Sequence, residues 1–244
     1  MKLQHYLKQF DKLAVALSGG ADSACLLREA VAAIGREHVL AITVQTELLS
    51  ARRLHMAKRI AKLADVEHVV LQIGALEDDA IQKNGPLSEY YYHRLILHAT
   101  LDEAWVRGFG HVMDGHRSDE PSRASFKAAE ELNVLSPFAV CNMGRFQVAA
   151  LRKGMAEDDT EGMGSLANRL PSDMPLTLEM LSRIDEAEEE LFRLGLTTAR
   201  VMVEEQSARI LVGEAEKERH AALLERAQSV AANAGFGLTE APRE

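Results

Sequence analysis

A short polar segment near the amino end carries residue types that bind phosphate. Segment 18–23 (SGGADS) follows an apolar run and precedes a long helical pattern. Its two glycines let the backbone approach an oxyanion closely, and the free N–H groups and dipole at a helix start attract negative charge. Ser18 and Ser23 add hydroxyl donors, while Asp22 is expected to cap the helix or to contact a metal ion. We predict a phosphate-binding loop; the alternative is a capped Gly-Gly turn without a ligand.

Two further carboxylates follow the fourth predicted strand. Asp114 and Asp119 lie beyond the carboxyl end of that strand, which is the edge where open α/β sheets bind ligands. Together with Asp22 they are candidates for holding the Mg²⁺ that accompanies a phosphate ligand. Turn formation and helix capping by the same side chains are the alternative.

Cationic candidates come from both halves of the chain. Arg169, Arg200 and Arg209 have the planar donors that suit phosphate or carboxylate, with surface ion pairs as the alternative. A helical segment at 51–64 is interpreted as having a solvated basic face, and docking of an anionic substrate or a tRNA is the alternative. Its basic residues are Arg52, Arg53, Lys58, Arg59 and Lys62. The histidines lack metal-ligand spacing and are interpreted as ordinary polar side chains.

The elements that must position these residues alternate along the first 140 residues. Short apolar, β-branched runs separated by helical stretches predict a parallel sheet covered on both faces. The predicted strands are 13–17, 39–44, 68–73 and 111–113, with a weak one at 134–135. The predicted helices are 22–34, 48–63, 89–107 and 125–132.

The second half has a different pattern. A looser stretch at 154–175 is interpreted as a linker or an active-site loop. Apolar residues then recur with helical spacing from 178 to 194, between a capping Thr177 and Gly195. The segments 200–204 and 208–212 predict a strand pair, and 214–234 predicts a final helix.

Composition limits the class of protein. The 244 residues include 28 Lys and Arg against 37 Asp and Glu, for a net charge of −9, and 47% are apolar. This charge argues against broad nucleic-acid binding, although a local basic groove is compatible with it. The 2 cysteines cannot form a disulfide framework. Without a long apolar run or a secretory leader, we expect a cytoplasmic protein that does not enter membranes.

The segment 18–23 resembles the PP-loop of ATP pyrophosphatases, because SGGxDS directly follows a buried strand and lacks the lysine of a Walker A loop. Other stretches, in order over about residues 12–213, resemble the LarE-type sulfur-inserting enzymes of nickel-pincer cofactor synthesis. These stretches are VLAITV at 39–44, DGHRSDE at 114–120, VLSPF at 134–138, SLANRLP at 165–171, RV at 200–201 and ARI at 208–210.

The resemblance implies an α/β fold. It predicts a parallel-sheet PP-loop domain at 1–153, which is Rossmann-like and of the adenine nucleotide alpha-hydrolase type. A linker or active-site loop at 154–176 and a small α+β domain at 177–244 are expected to follow.

The resemblance also implies a reaction. Such enzymes split ATP between the α- and β-phosphates with Mg²⁺, adenylate a small acidic or nucleotide-like substrate and release pyrophosphate. The residues expected to contact ATP are Ser18, Gly19, Gly20, Asp22, Ser23, Thr43, Asp114 and Arg209. Those expected to act in catalysis are Asp22, Ser165, Arg169 and Arg200, and those expected to hold Mg²⁺ are Asp22, Asp114 and Asp119.

Departures from the family pattern concern sulfur. Ser165 stands where the family has a sulfur-donor cysteine, and segment 89–94 (EYYYHR) lacks the family's cysteines. A hydroxyl cannot donate sulfur. Arg117 replaces an asparagine, and Met202 replaces the second arginine of an RVR motif. A PP-loop tRNA-modifying enzyme and a nucleotide-binding protein without catalysis are the alternatives, and a homo-oligomer is compatible with the sequence.

Overall fold

The first half of the chain alternates parallel strands with helices. The computed structural model describes residues 2–120, 123–154, 164–204, 207–213, 229–230, 235 and 237–238. The strands here are β1 (Leu13–Ala16), β2 (Val39–Gln45), β3 (Glu67–Gln72) and β4 (Val112–Met113). The helices are α1 (Leu3–Leu7), α2 (Ala21–Ile34), α3 (Ala51–Ala64), α4 (Asp79–Gln82), α5 (Ser88–Val106), α6 (Ala124–Glu131), α7 (Pro137–Val140) and α8 (Arg145–Arg152).

The four strands form one parallel sheet in the order β3-β2-β1-β4. Successive residues of β1 point to opposite faces, and both faces are buried: Leu13 and Val15 join one apolar core, while Ala14 joins another. The weak predicted strand is reduced to a single parallel bridge between Met113 and Leu135. The predicted α/β fold with a parallel sheet is confirmed.

The second half adds a small sheet and a helix. Helix α9 (Leu178–Arg193) begins where the Thr177 hydroxyl accepts a hydrogen bond from the Met180 N–H. The strands β5 (Arg200–Glu204) and β6 (Ser207–Leu211) pair antiparallel, and β7 (Gly237–Leu238) pairs parallel to β6. Most of the predicted helix at 214–234 lies outside the described residues.

The two halves share an apolar core. Leu48, Ile81 and Tyr92 from the first half pack in one cluster with Leu181 and Val201 from the second. The described part of the looser stretch, from residue 164 on, belongs to the same cluster. It contains a 3₁₀ helix at Leu166–Arg169 and contributes the buried residues Leu166, Leu170 and Leu176. The division into domains at 1–153 and 177–244 stays a prediction.

The described residues include no helix with the length and apolar character needed to cross a membrane.

Candidate functional site

The loop at 18–23 lies between the end of the central strand β1 and the start of α2. The Leu17 N–H donates to the Ile42 carbonyl, which extends the pairing with β2 to the residue before the loop. The chain then turns at Gly19, whose φ is +73°, and α2 begins after Gly20. This is the predicted strand, glycine turn and helix, so the loop has the backbone path of a phosphate-binding element.

Position 19 requires glycine because its φ is positive and because there is no room for a Cβ. A Cβ at this position would lie 2.1 Å from the carbonyl oxygen of Arg53 and 3.2 Å from the backbone nitrogen of Ala57. Both atoms belong to the backbone of α3, which cannot move aside cheaply. The turn therefore packs directly against α3, and any side chain at Gly19 would displace one from the other.

The start of α2 presents free donors. Within the described part of the chain, the N–H groups of Ala21, Asp22 and Ser23 donate to no protein acceptor. No side chain caps this helix start, because the N-cap residue is Gly20. The Ser23 hydroxyl donates to the Gly20 carbonyl at 2.9 Å. The Ser18 hydroxyl is exposed and lies 3.2 Å from that of Ser23. The first turn of α2 therefore has the unsatisfied N–H groups that bind anions.

Asp22 binds two arginines from different elements. One carboxylate oxygen accepts a hydrogen bond from Nη1 of Arg117, and the other lies 2.8 Å from Nη1 of Arg152. Arg152 is only 5% exposed. Arg117 also contacts Asp119 at 3.2 Å and Glu120 at 3.0 Å. Charge-assisted bonds of this kind are strong when water is excluded. Asp22 thus ties the loop to α8 and to the segment after β4.

Asp114 is buried directly after β4, with both oxygens engaged. One accepts hydrogen bonds from the Ser136 hydroxyl (2.7 Å) and the His116 N–H (3.1 Å), and the other lies 2.7 Å from Nδ1 of His116. Nε2 of the same ring lies 2.8 Å from the Ser125 hydroxyl. Burial alone lowers the pKa of His116, but Asp114 outweighs it, so this pKa is raised. Asp114 therefore orients His116 and fixes this segment.

The predicted magnesium site does not fit these contacts. Asp22 and Asp114 are engaged as described, and Asp119 accepts the Arg145 N–H at the start of α8 (2.8 Å), a bond that lowers its pKa. No group of three or more His, Cys, Asp or Glu residues in the described ranges is arranged to hold a metal ion. The charge of each carboxylate is thus already compensated by arginine, histidine, hydroxyl or backbone N–H donors, without a metal ion.

Two other predicted site residues have structural contacts. Thr43 is 2% exposed, and its hydroxyl donates to the Leu17 carbonyl at 2.6 Å and lies 2.8 Å from Nε2 of His68. These contacts support the strand end below the loop, and the contact of Thr43 with a nucleotide stays a prediction. The Ser165 hydroxyl accepts the Ala167 N–H at 3.2 Å and caps the 3₁₀ helix.

The three arginines of the second half contact protein groups. Arg169 and Glu188, both less than 9% exposed, form a two-pronged ion pair at 2.6 and 3.2 Å. Arg200 donates to the carbonyls of the two preceding residues at 2.8 and 2.9 Å. Arg209 pairs with Glu204 at 2.7 Å on the exposed face of the β5–β6 hairpin. These contacts favour ion pairing over phosphate binding for Arg169 and Arg209.

Arg53 is a cationic residue that α3 places at the loop, which favours anion docking over the solvated face for this one residue of the basic segment. Its Nη2 lies 3.4 Å from the position that a Cβ would take on Gly20. Arg53 precedes Ala57 by four residues, and Ala57 and Ala61 are buried. Helical spacing therefore puts Arg53 on the buried face. That spacing, read from the sequence, was the signal that would have identified it.

The loop is also bordered by the segment after β4. A Cβ on Gly115 would lie 2.9 Å from the backbone nitrogen of Ser23, so this segment packs on the first turn of α2. On α5, the pKa of His93 is lowered to about 3, first by burial and then by the charges of His116 and Arg53. His93 is thus neutral at physiological pH, chiefly because it is buried.

A cavity of about 390 Å³ lies on the other face of α3. Leu54, His55 and Lys58 line it, together with Gln45 at the end of β2 and Asp185 on α9. At 100° per residue, His55 lies about 200° and Lys58 about 140° around the helix from Arg53, whereas Leu54 lies about 100° from it. His55 and Lys58 therefore face the cavity from the side of α3 that is turned away from Arg53.

Comparison with known proteins gives the family. The chain is 30% identical over 213 residues to the pyridinium-3,5-bisthiocarboxylic acid mononucleotide synthase of Lactiplantibacillus plantarum, covering 86% of this chain and 77% of the synthase. It is also similar to uncharacterized proteins of Synechocystis (29% identity, 85% and 79% coverage) and Methanocaldococcus jannaschii (28%, 78% and 75%). No family model matches it. The chain belongs to the family of that synthase, the LarE-type branch of the PP-loop ATP pyrophosphatases.

Proposed function

We propose that this chain binds ATP with its triphosphate on the loop at 18–23 and adenylates a carboxylate of a small, nucleotide-like substrate. The observation that carries the proposal is the set of free N–H groups at Ala21, Asp22 and Ser23, at the end of the central strand. Family membership supports the use of ATP. The related synthase is named for a pyridinium mononucleotide with two thiocarboxylic acid groups, and an adenylated carboxylate is a chemically suitable precursor of a thiocarboxylic acid.

In the proposed reaction a substrate carboxylate oxygen attacks the α-phosphorus. The bond between the α-phosphorus and the oxygen that bridges to the β-phosphorus breaks, and pyrophosphate leaves with the electron pair. The loop N–H groups bind phosphate oxygens and hold the chain of phosphates in position. Positioning and charge stabilisation supply most of the acceleration in phosphate chemistry of this kind.

We further propose that adenylation here is not coupled to sulfur donation from the chain itself. The hydroxyl of Ser165 caps a 3₁₀ helix and carries no sulfur. Cys25 is buried in α2, and burial raises its pKa to about 12, so its reactive thiolate form is suppressed. Mass spectrometry of the chain after turnover tests this: an unchanged mass is expected, and loss of one sulfur would contradict it.

Carboxylate-dependent exchange of labelled pyrophosphate into ATP tests the reaction. Wild type should catalyse this exchange with pyridine carboxylate mononucleotides, and formation of ADP and phosphate instead would contradict adenylation. Gly19→Ala should abolish exchange and ATP binding, because the added Cβ collides with the backbone of α3.

The matched control is Gly108→Ala. Gly108 has a similar φ of +77°, but no atom that the structure describes lies within 4 Å of the place that an added Cβ would take. This variant should lose some stability and keep ATP binding. If Gly19→Ala does not fold, Gly20→Val serves instead, because Gly20 has a normal φ of −88°. Unchanged ATP affinity in Gly20→Val would contradict the assignment of the loop.

A further inference from the structure

Arg53 is a guanidinium group without a carboxylate partner. Of the acidic side chains that the structure describes, none forms an ion pair with it, and its Nε is buried without a hydrogen-bond partner. The residue as a whole is part-exposed, and burial of its inner part lowers its pKa. Because an uncompensated charge is costly, the guanidinium needs water or a bound anion where the described chain offers no carboxylate. The partner of Arg53 is therefore to be sought outside the chain.

The ionisable side chains that act electrostatically on Arg53 are Tyr92 and Arg169, and neither supplies a carboxylate. Arg169 is itself paired with Glu188. The Tyr92 hydroxyl is hydrogen-bonded to Thr46, and burial raises its pKa, so it adds no negative charge at neutral pH.

The position of Arg53 indicates which anion it meets. Its Nη2 lies beside Gly20, the N-cap residue of α2. The free N–H groups belong to the first turn of the same helix. A ligand bound to those N–H groups has a guanidinium on the α3 side of it. A guanidinium presents planar, paired donors that match two oxygens of a phosphate.

We propose that Arg53 binds the β/γ-phosphates of ATP from the α3 side of the loop and stabilises the pyrophosphate that leaves. This rests on the proposed function. When the bond between the α-phosphorus and the bridging oxygen breaks, that oxygen gains negative charge, and Arg53 is a fixed cation next to it. Arg53 thus supplies positive charge to the loop from α3, while the carboxylate of the loop, Asp22, is bound by other arginines.

Inorganic pyrophosphate is the probe that tests this inference. Calorimetric titration should show Arg53→Gln binding pyrophosphate and ATP about 10- to 100-fold more weakly than wild type, the range for a lost charge-assisted contact. Binding of AMP, which lacks the β- and γ-phosphates, should change by less than about threefold. Arg53→Lys keeps the charge without the paired donors, and its affinity for pyrophosphate and ATP should lie between those of wild type and Arg53→Gln.

The matched control is Arg59→Gln, on the exposed face of the same helix. It removes the same charge and should leave pyrophosphate binding unchanged. A second readout is the melting temperature without ligand. Arg53→Gln should melt no lower than wild type, because it removes an uncompensated charge, whereas a structural arginine would lower the melting temperature when replaced.

The outcomes separate the two proposals. If wild type binds ATP and pyrophosphate but Arg53→Gln and Arg53→Lys bind them equally well, the role of Arg53 is wrong and the proposed function stands. Equal losses in the Arg53 and Arg59 variants would also overturn it, since they would indicate a general charge effect. If wild type binds neither ligand, the proposed function itself fails.

Discussion

Asp22 shows how one side chain in a ligand loop can serve the fold. It was assigned to catalysis and metal binding, yet both of its oxygens accept from arginines, one of which, Arg152, is almost completely buried. The contact between Asp22 and Arg117 also explains how the chain accommodates an arginine where the family has an asparagine. The charge at Arg117 is balanced by Asp22, Asp119 and Glu120.

Replacing Asp22 should therefore affect stability. Asp22→Asn leaves both guanidinium groups without this carboxylate, and the free energy of unfolding should fall by about 3 kcal/mol. Urea denaturation of the variant measures it. Asp119→Asn is the matched control, because Asp119 contacts the same arginine from an exposed position and asparagine can still cap α8. Its loss should be below about 1 kcal/mol. Equal losses in both variants would contradict the structural role of Asp22.

At the scale of elements, α3 organises the site. Arg53 and Ala57 lie against the loop, and other positions of the helix line the cavity. The first N–H of α3, at Ala51, is bound by Asp185 of α9 at 3.0 and 3.2 Å. The second half of the chain is thus attached to the helix that touches the loop. Its attachment has a titratable group: burial and the neighbouring glutamates raise the pKa of Asp185 to about 6.

That pKa gives a pH dependence of defined sign. The folded-state pKa lies above the unfolded value of about 3.9, so folding favours the protonated form, and the stability from this group is lost as pH rises from about 4 through 6. Asp185→Asn keeps an oxygen for the Ala51 N–H and has no charge. It should be more stable than wild type by roughly 1 kcal/mol at pH 8 and nearly equal at pH 4.

Thermal unfolding at both pH values measures this difference. Glu186→Gln, which removes a charge from an exposed position on the same helix, should change stability much less at either pH. Lower stability of Asp185→Asn at pH 8 would show that attraction between the carboxylate and the start of α3 outweighs burial.

At the scale of the whole molecule, the sequence predicted the fold better than the site. The strands β1 to β3 were predictable because continuous apolar runs such as 39–44 suit a strand buried on both faces. The loop was predictable because its chemistry lies in consecutive residues. The contacts of Thr43, Arg169 and Arg53 could not be predicted, because they are made with partners far along the chain, respectively Leu17, Glu188 and the loop.

The core that the two halves share could not be predicted from the sequence either. Periodicity predicted α9 and the β5–β6 pair correctly, but it could not show that Leu48 and Tyr92 pack with Leu181 and Val201. Contacts between distant segments leave no local pattern. The function assigned to residues 18–23 is therefore best tested in the complete chain, where α3 and its neighbours hold the loop.

A crystal structure with the non-hydrolysable analogue α,β-methylene-ATP would show directly where the triphosphate binds. We expect phosphate oxygens within about 3.2 Å of the N–H nitrogens of Ala21, Asp22 and Ser23, with the guanidinium of Arg53 on the opposite side of the β-phosphate. A triphosphate bound elsewhere, with these N–H groups still without a ligand, would contradict this expectation.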